Sequence, residues 1–187
     1  DWEKIRWTVQ LIADNLLGDQ LLSYLNIPKL DLISPAMFRF TLMNKAKAAQ
    51  KTIVLPEGSE PRTLQAAAII LERGITKLVL LGNREEILRE AKNVRADITK
   101  ATIIDPADSP LFDSFVDEYV ELRKHKGMNR TMAVDQMLDT VFFGTMMVHR
   151  GMVDGLVSGA VHTTQHTILP AFQVIKTVPG VDLVSSI

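Results

Sequence analysis

The chain contains no cysteine, which excludes a disulfide framework, a thiolate metal site and a cysteine nucleophile. It also lacks an excess of charge of either sign: 21 basic residues against 22 acidic ones leave a formal net charge of -1. Nothing therefore resembles the basic stripe of a nucleic-acid binder. No apolar run reaches the length of a membrane span, and residues 1–20 form a charged amphipathic segment without a signal-peptide core. Internal repeats and low-complexity tracts are absent, as are a phosphate-binding P-loop and a GxGxxG turn. GLVSGA does not have the GxSxG spacing of an esterase elbow around Ser158. These absences leave a soluble, cytoplasmic protein as the expectation. A chain of 187 residues that is 47% hydrophobic and 23% charged has enough apolar material for one ordinary globular domain with some extra.

What is present falls into two rhythms. Over residues 1–17, Trp2, Ile5, Val9, Ile12 and Leu16 recur at three and four, one face of a helix. Gly18 closes it, Asp19 can cap a second short helix through Leu25, and residues 26–35, with two prolines and no period, read as a linker. A lone amphipathic helix is marginal, so residues 1–33 either dock on the domain C-terminal to them or form the tail of an upstream domain.

From Ser34 onward short apolar runs alternate with helical periods. Helix is expected over 38–50 and strand over 52–55, then a helix opened by Pro61 with Leu64, Ala67, Ala68 and Leu71 inward. A strand at 77–81 precedes a helix capped by Asn83 with Glu86 three residues on. A third strand is expected at 102–104, a long helix opened by Ser109 and Pro110, and helical stretches over 131–139 and 142–150. A strand at 154–157, a helix from about 163 to 176 and an apolar run over 181–187 that reads as another strand complete the series. Such alternation predicts an α/β fold, a mostly parallel sheet with helices on both faces.

Three stretches could carry chemistry. The first is Met152–Thr164, MVDGLVSGAVHTT, a strand leading into a turn of small residues and then a helix start. Ser158, Gly159 and Ala160 let a ligand approach the backbone, Thr163 and Thr164 offer hydroxyls, and the helix start supplies N–H donors. A plain βα turn with a threonine cap fits the same residues. His162 and His166 are four apart, but no acidic third ligand stands near them in sequence, so no metal site is expected. The second stretch is ELRKHKG. Arg123 follows Tyr119 by four and Val116 by seven, so it continues an apolar stripe, where an arginine usually reaches for an anion. Simple complementation of the helix dipole by Arg123, Lys124 and Lys126 is the alternative. The third is Glu57–Arg62, two acids and an arginine just after a strand, either a site at the right end of the sheet or a solvated capping loop.

Taken together and in order, IVLPEGSEPRTLQAAA, ERGI with LVLLGN, ELRKHKGM, VDGLVSGAVHTT and VIKT resemble phosphate acetyltransferase, over residues 34–187. Residues 1–33 resemble the helical junction behind the upstream regulatory region of its long form. The resemblance implies a three-layer sandwich related to the isocitrate dehydrogenases, in which residues 34–187 are the first of two catalytic domains and the second is largely absent. It implies reversible acetyl transfer between acetyl phosphate and coenzyme A by direct attack of the CoA thiolate. Coenzyme A and acetyl phosphate would be the substrates, with no metal or redox cofactor, in a protein that is homo-oligomeric at full length. Arg123 matches an arginine the family uses around its substrates. Ser158, Gly159, His162, Thr163 and Thr164 match its small-residue turn lining the cleft.

Two departures qualify this likeness. Leu169 stands where the family commonly has an arginine before the proline matching Pro170. The family's main catalytic serine, arginine and aspartate match positions beyond Ile187, so no residue here is assigned that role and Arg123 is a supporting one. Two alternatives stay open: a non-catalytic acetyl-CoA-binding regulatory domain such as some malic enzymes carry, or a phosphate butyryltransferase.

Overall fold

The computed structural model describes residues 2–15 and 34–181. The helix expected over 19–25, most of the 26–35 linker and the expected strand beyond Val181 lie outside the described residues. The chain divides into two compact units, Asp1–Leu42 and Met43–Ile187. In the first, α1 (Trp2–Asn15) bears out the helical period, and its Trp2, Ile5, Trp7, Val9 and Leu11 are exposed. Helix α2 (Pro35–Ala49) starts three residues before the expected Phe38. The Ser34 hydroxyl accepts from the Met37 amide at 3.1 Å, so Ser-Pro acts as a cap and first turn instead of ending a linker.

The second unit is built on four parallel strands, β1 (Thr52–Leu55), β2 (Lys77–Leu81), β3 (Thr102–Ile104) and β4 (Gly155–Leu156), in the order β3-β2-β1-β4. Ile53 pairs with Leu78 on one side and Gly155 on the other. Strand β4 is shorter than the expected 154–157 because its two ends have other work. The Asp154 carboxylate accepts from the Thr52 amide and the Lys51 ammonium, and the chain leaves the sheet after Val157 donates to the Val54 carbonyl. Strands β1 to β3 step outward in one direction, and β4 returns to the free flank of β1. The order of connection therefore reverses between β1 and β4.

The helices of this unit are α3 (Pro61–Glu72), α4 (Arg84–Asn93), α5 (Phe112–Arg123), α6 (Arg130–Met137), α7 (Thr140–His149) and α8 (Thr164–Val174). Side chains alternate across the sheet with the strand period of two. Val54, Val79 and Leu81 join Phe115, Tyr119, Phe143 and Met146 in one core, and Leu55, Leu78 and Leu80 join Leu64, Ile87 and Ala91 in the other. Two cores, one on each face, make the three layers the alternating pattern implies. Burial of each large side chain contributes about 1.5–3 kcal/mol. Helix α7 is apolar all round, and Val141 through Met147 are all buried, the condition for a helix enclosed on every side.

Caps set most helix starts. Glu60 accepts from the Thr63 amide, Asn83 from Glu86, and Asp139 from Val141 and Phe142. The Ser109-Pro110 start is displaced. Asp105 and Pro106 first make a one-turn 3-10 helix, the Ser109 hydroxyl accepts from the Leu111 amide, and α5 begins at Phe112. Among the described residues no helix is long and apolar enough to cross a membrane.

Candidate functional site

Parallel α/β sheets leave a crevice at the C-terminal ends of their strands where the strand order reverses. Here that point is between β1 and β4, and each strand runs directly into a stretch that could carry chemistry. Leu55 leads into Pro56, Glu57 and Gly58; Leu156 leads into Val157 and the turn Ser158–His162. Gly58 allows the first loop to lie against β2. A Cβ at this position would stand 2.4 Å from the Leu81 carbonyl oxygen, while the Gly58 amide donates to that same oxygen at 3.2 Å.

The two loops meet through one carboxylate. Glu57 Oε2 accepts from the amides of Gly159 (3.1 Å) and Ala160 (2.8 Å), and Oε1 from those of Val161 (2.7 Å) and His162 (2.8 Å). Four consecutive N–H groups thus converge on one side chain that is only 8% exposed. Each such charge-assisted bond contributes about 1.5–3 kcal/mol against leaving the groups unpaired. Burial pushes the Glu57 carboxyl up, but the amides of His162, Val161 and Ala160 and the nearby imidazole outweigh it. The group therefore sits below the usual carboxylate range. His162 Nδ1 lies 3.0 Å from Glu57 Oε1, close in charge terms but off the line of a hydrogen bond. Arg62 closes the other side of the turn, donating to the Ala160 carbonyl at 2.6 Å and to Glu60 at 2.6 Å. Within the Glu57–Arg62 stretch Glu60 caps α3, as the capping-loop reading has it, and Glu57 holds the turn.

Beyond the turn, Thr163 is the N-cap of α8, its hydroxyl accepting from the His166 amide, and Thr164 is exposed at the first helical position. The rings of His162 and His166 stack at 4.6 Å between centroids and 18° between planes. His166 Nε2 lies 2.7 Å from Asp139 Oδ2. The chain shows no acid beside these histidines in sequence, but the fold brings one to each. Glu57 and Asp139 arrive from 105 and 27 residues away. The Ser158 and Thr167 hydroxyls are buried without a partner. Cavities open on both sides of the turn. One of about 470 Å³ is lined by Glu57, Glu60, Asn83, Thr140 and His162. An apolar one of about 310 Å³ is lined by Leu55, Ala66, Ile70, Val157 and Ser158.

Arg123 stands apart from this cluster. It is the last residue of α5, followed by one 3-10 turn and Gly127, and its Nε is buried with no partner. Its neighbour Tyr119 is fully buried, with the hydroxyl 2.5 Å from Gln173 in the last turn of α8. Burial pushes the Tyr119 phenol up, and the positive charge of Arg123 draws it partly back. Thr164 opens the same α8 helix, about 14 Å from Gln173 by helical rise. Ser158, Gly159, His162, Thr163 and Thr164 therefore stand together in the turn and at the start of α8, whereas Arg123 belongs to the end of α5. Lys124 behaves as the plainer reading has it, exposed and paired with Glu121. The sequence did not reveal Glu57 as the partner of the turn, because nothing local shows that β1 and β4 are neighbours. An acid just past a strand at the ligand end of the sheet was the available signal.

This geometry matches known proteins in sequence and in shape. A sequence model described as phosphate acetyl/butaryl transferase matches residues 37–187. Phosphate acetyltransferase of Synechocystis is 47% identical over 186 residues, 98% of this chain and 27% of that protein. That of Thermoanaerobacterium thermosaccharolyticum is 51% identical over 146 residues, 78% of this chain and 44% of that protein. Among solved structures, a phosphotransacetylase from Streptococcus pyogenes superposes with a TM-score of 0.75 at 35% identity, covering 80% of this chain and 45% of its own. The EutD phosphotransacetylase from Staphylococcus aureus gives 0.72 at 37% identity, covering 79% and 44%. The chain thus spans about a quarter to under a half of the relatives it matches. On the family match and the shared parallel fold, it belongs to the phosphate acetyl/butaryl transferase family.

Proposed function

We propose that this chain is the first α/β domain of a phosphate acetyltransferase and forms one wall of the cleft in which acetyl passes between acetyl phosphate and coenzyme A. The observation that carries this reading is the turn Ser158–Thr164, held at the switch point between β1 and β4 beside two cavities.

The reaction breaks the bond from the acetyl carbon to phosphate oxygen and forms one to the CoA sulfur. It needs a base for the thiol, donors for the oxyanion, and cationic or hydroxyl contacts for the leaving phosphate. The turn is suited to the last of these. Its amides at 159–162 are taken up by Glu57, so contacts to an anion fall to the hydroxyls of Ser158, Thr163 and Thr164 and to the imidazole of His162. Gly159 leaves room on the outer side, with nothing within 4 Å of where its Cβ would be. Arg123, with an unpaired buried nitrogen at the end of α5, is suited to a different anionic group, such as a phosphate of the long CoA molecule. The base and the main oxyanion donors belong to the second domain, so these residues alone would turn over negligibly.

In this reading residues 1–33 are a helical junction from an upstream regulatory region, residues 34–187 are the first of two catalytic domains, and the full polypeptide is a cytoplasmic homo-oligomer. The test is loss of free CoA thiol in the presence of acetyl phosphate, on this chain and on a longer polypeptide that includes a second domain. Turnover by the longer chain alone is the expected result. Binding of acetyl-CoA by both with turnover by neither would replace the enzyme by a regulatory binding domain, a reading that the exposed Leu169 on α8 favours. Turnover of butyryl phosphate in preference to acetyl phosphate would move the acyl group to butyryl.

A further inference from the structure

Resting on the acetyltransferase reading, we propose that Glu57 is the positioning residue of this site: its carboxylate occupies the four amides of Gly159–His162 and so fixes the direction in which Ser158, Thr163, Thr164 and His162 face the substrate.

A concave run of backbone N–H groups after a strand usually serves as an anion site for a ligand. In this chain the anion is built in. Each carboxylate oxygen takes two amides, at 3.1 and 2.8 Å on Oε2 and 2.7 and 2.8 Å on Oε1, so no donor in the run is left over for an incoming phosphate. The charge of Glu57 is met by those dipoles, and the side chain lies within the protein, 8% exposed. It is consequently not a group that touches the reacting atoms.

Its leverage comes from where it is anchored. Glu57 follows directly on β1, and Gly58 is pinned to Leu81 of β2 by a 3.2 Å hydrogen bond from its amide to the Leu81 carbonyl and by the absence of space for a Cβ. The turn it holds follows β4, a strand of two residues that is the last on its side among the described residues, with little ladder of its own to fix the loop beyond it. The central strands thus dictate the shape of a loop that its own strand could not. Gly159 completes the arrangement with a φ of +114°, a conformation only glycine adopts without strain. Functional constellations need this kind of supporting contact, because small displacements of the contacting groups weaken their hold on the substrate.

Glu57→Gln discriminates sharply, since the side chain keeps its size but one of the two oxygens becomes an NH₂ facing two N–H donors. Gly58→Ala displaces the carboxylate from the other direction without changing its chemistry. In amide NMR spectra of this chain, the Gly159, Ala160, Val161 and His162 signals should move together in both variants, while those of the α5–α7 core stay in place. In the longer, two-domain polypeptide, Glu57→Gln should raise KM for acetyl phosphate on the order of tenfold, comparable to losing one charge-assisted hydrogen bond. Its kcat should stay within about threefold, and Glu57→Asp should recover part of the loss. A KM unchanged in Glu57→Gln, or a fall in kcat with KM untouched, would overturn the proposal, as would four unmoved amides. Should the wild-type longer polypeptide bind acetyl-CoA but not turn it over, the acetyltransferase reading fails by itself. The Kd of Glu57→Gln for acetyl-CoA then decides: a tenfold rise supports Glu57 as the positioning residue, and an unchanged Kd overturns it.

Discussion

A single carboxylate can be worth more to a loop than the loop's own residues, and Glu57 carries a pH dependence for that reason. Its carboxyl lies below the usual carboxylate range in the folded chain, as does that of Asp154, held down by Lys51 and the Thr52 amide. A carboxyl depressed by folding adds stability that is complete above the unfolded value and is lost as pH falls through the folded one. Stability to urea should therefore be level at neutral pH and decline below the usual carboxylate range. In Glu57→Gln the decline should be shallower, so the two curves converge in acid. Parallel curves from pH 7 to pH 3 would contradict this role. Gly159→Ala tests the backbone of the same turn. The added methyl meets nothing within 4 Å, so any loss is conformational, about 1–2 kcal/mol for a non-glycine residue at such a φ, read from chemical denaturation.

At the scale of elements, the unit to consider is α7 with its cap, because Asp139 does two things. One oxygen accepts from Val141 and Phe142 at the start of an enclosed helix, and the other meets His166 of α8. Asp139→Ala should destabilise the fold by about 1–2 kcal/mol through the lost cap. It should also free the His166 ring, seen as a changed imidazole signal of both stacked histidines; a change confined to stability would refute the link between them. Strands β1, β2 and β3 were legible to the residue, since TIVL, KLVLL and TII are apolar or β-branched runs between turn signals. The cap at Asn83 and the helix start at Pro61 were equally plain. What the sequence hid were contests between neighbouring signals. Ser109-Pro110 looked like a helix start, but Asp105-Pro106 had already begun a turn. Ser34-Pro35 read as linker because residues 26–35 hold two prolines, Pro28 and Pro35, and no period. The small-residue turn could be located from its own residues, whereas its partner could not, because the β1–β4 adjacency depends on strand order and not on any local pattern.

For the whole molecule, the two faces of the sheet carry closed cores, while the switch-point end carries buried hydroxyls without partners and two cavities, and the end of α5 carries an unpaired arginine nitrogen. Such groups cost free energy unless something completes them. Substrate, and the domain that the longer relatives possess, are the partners proposed to complete them. The most direct measurement is kcat/KM for acetyl transfer by the two-domain polypeptide and by its Ser158→Ala and Thr164→Val variants, neither of which removes the Thr163 cap. Loss of contacts to a transferring phosphate should lower kcat/KM by roughly tenfold or more in each, with no loss of stability in denaturation curves. Wild-type kcat/KM in both variants would contradict the assignment of this turn to the cleft.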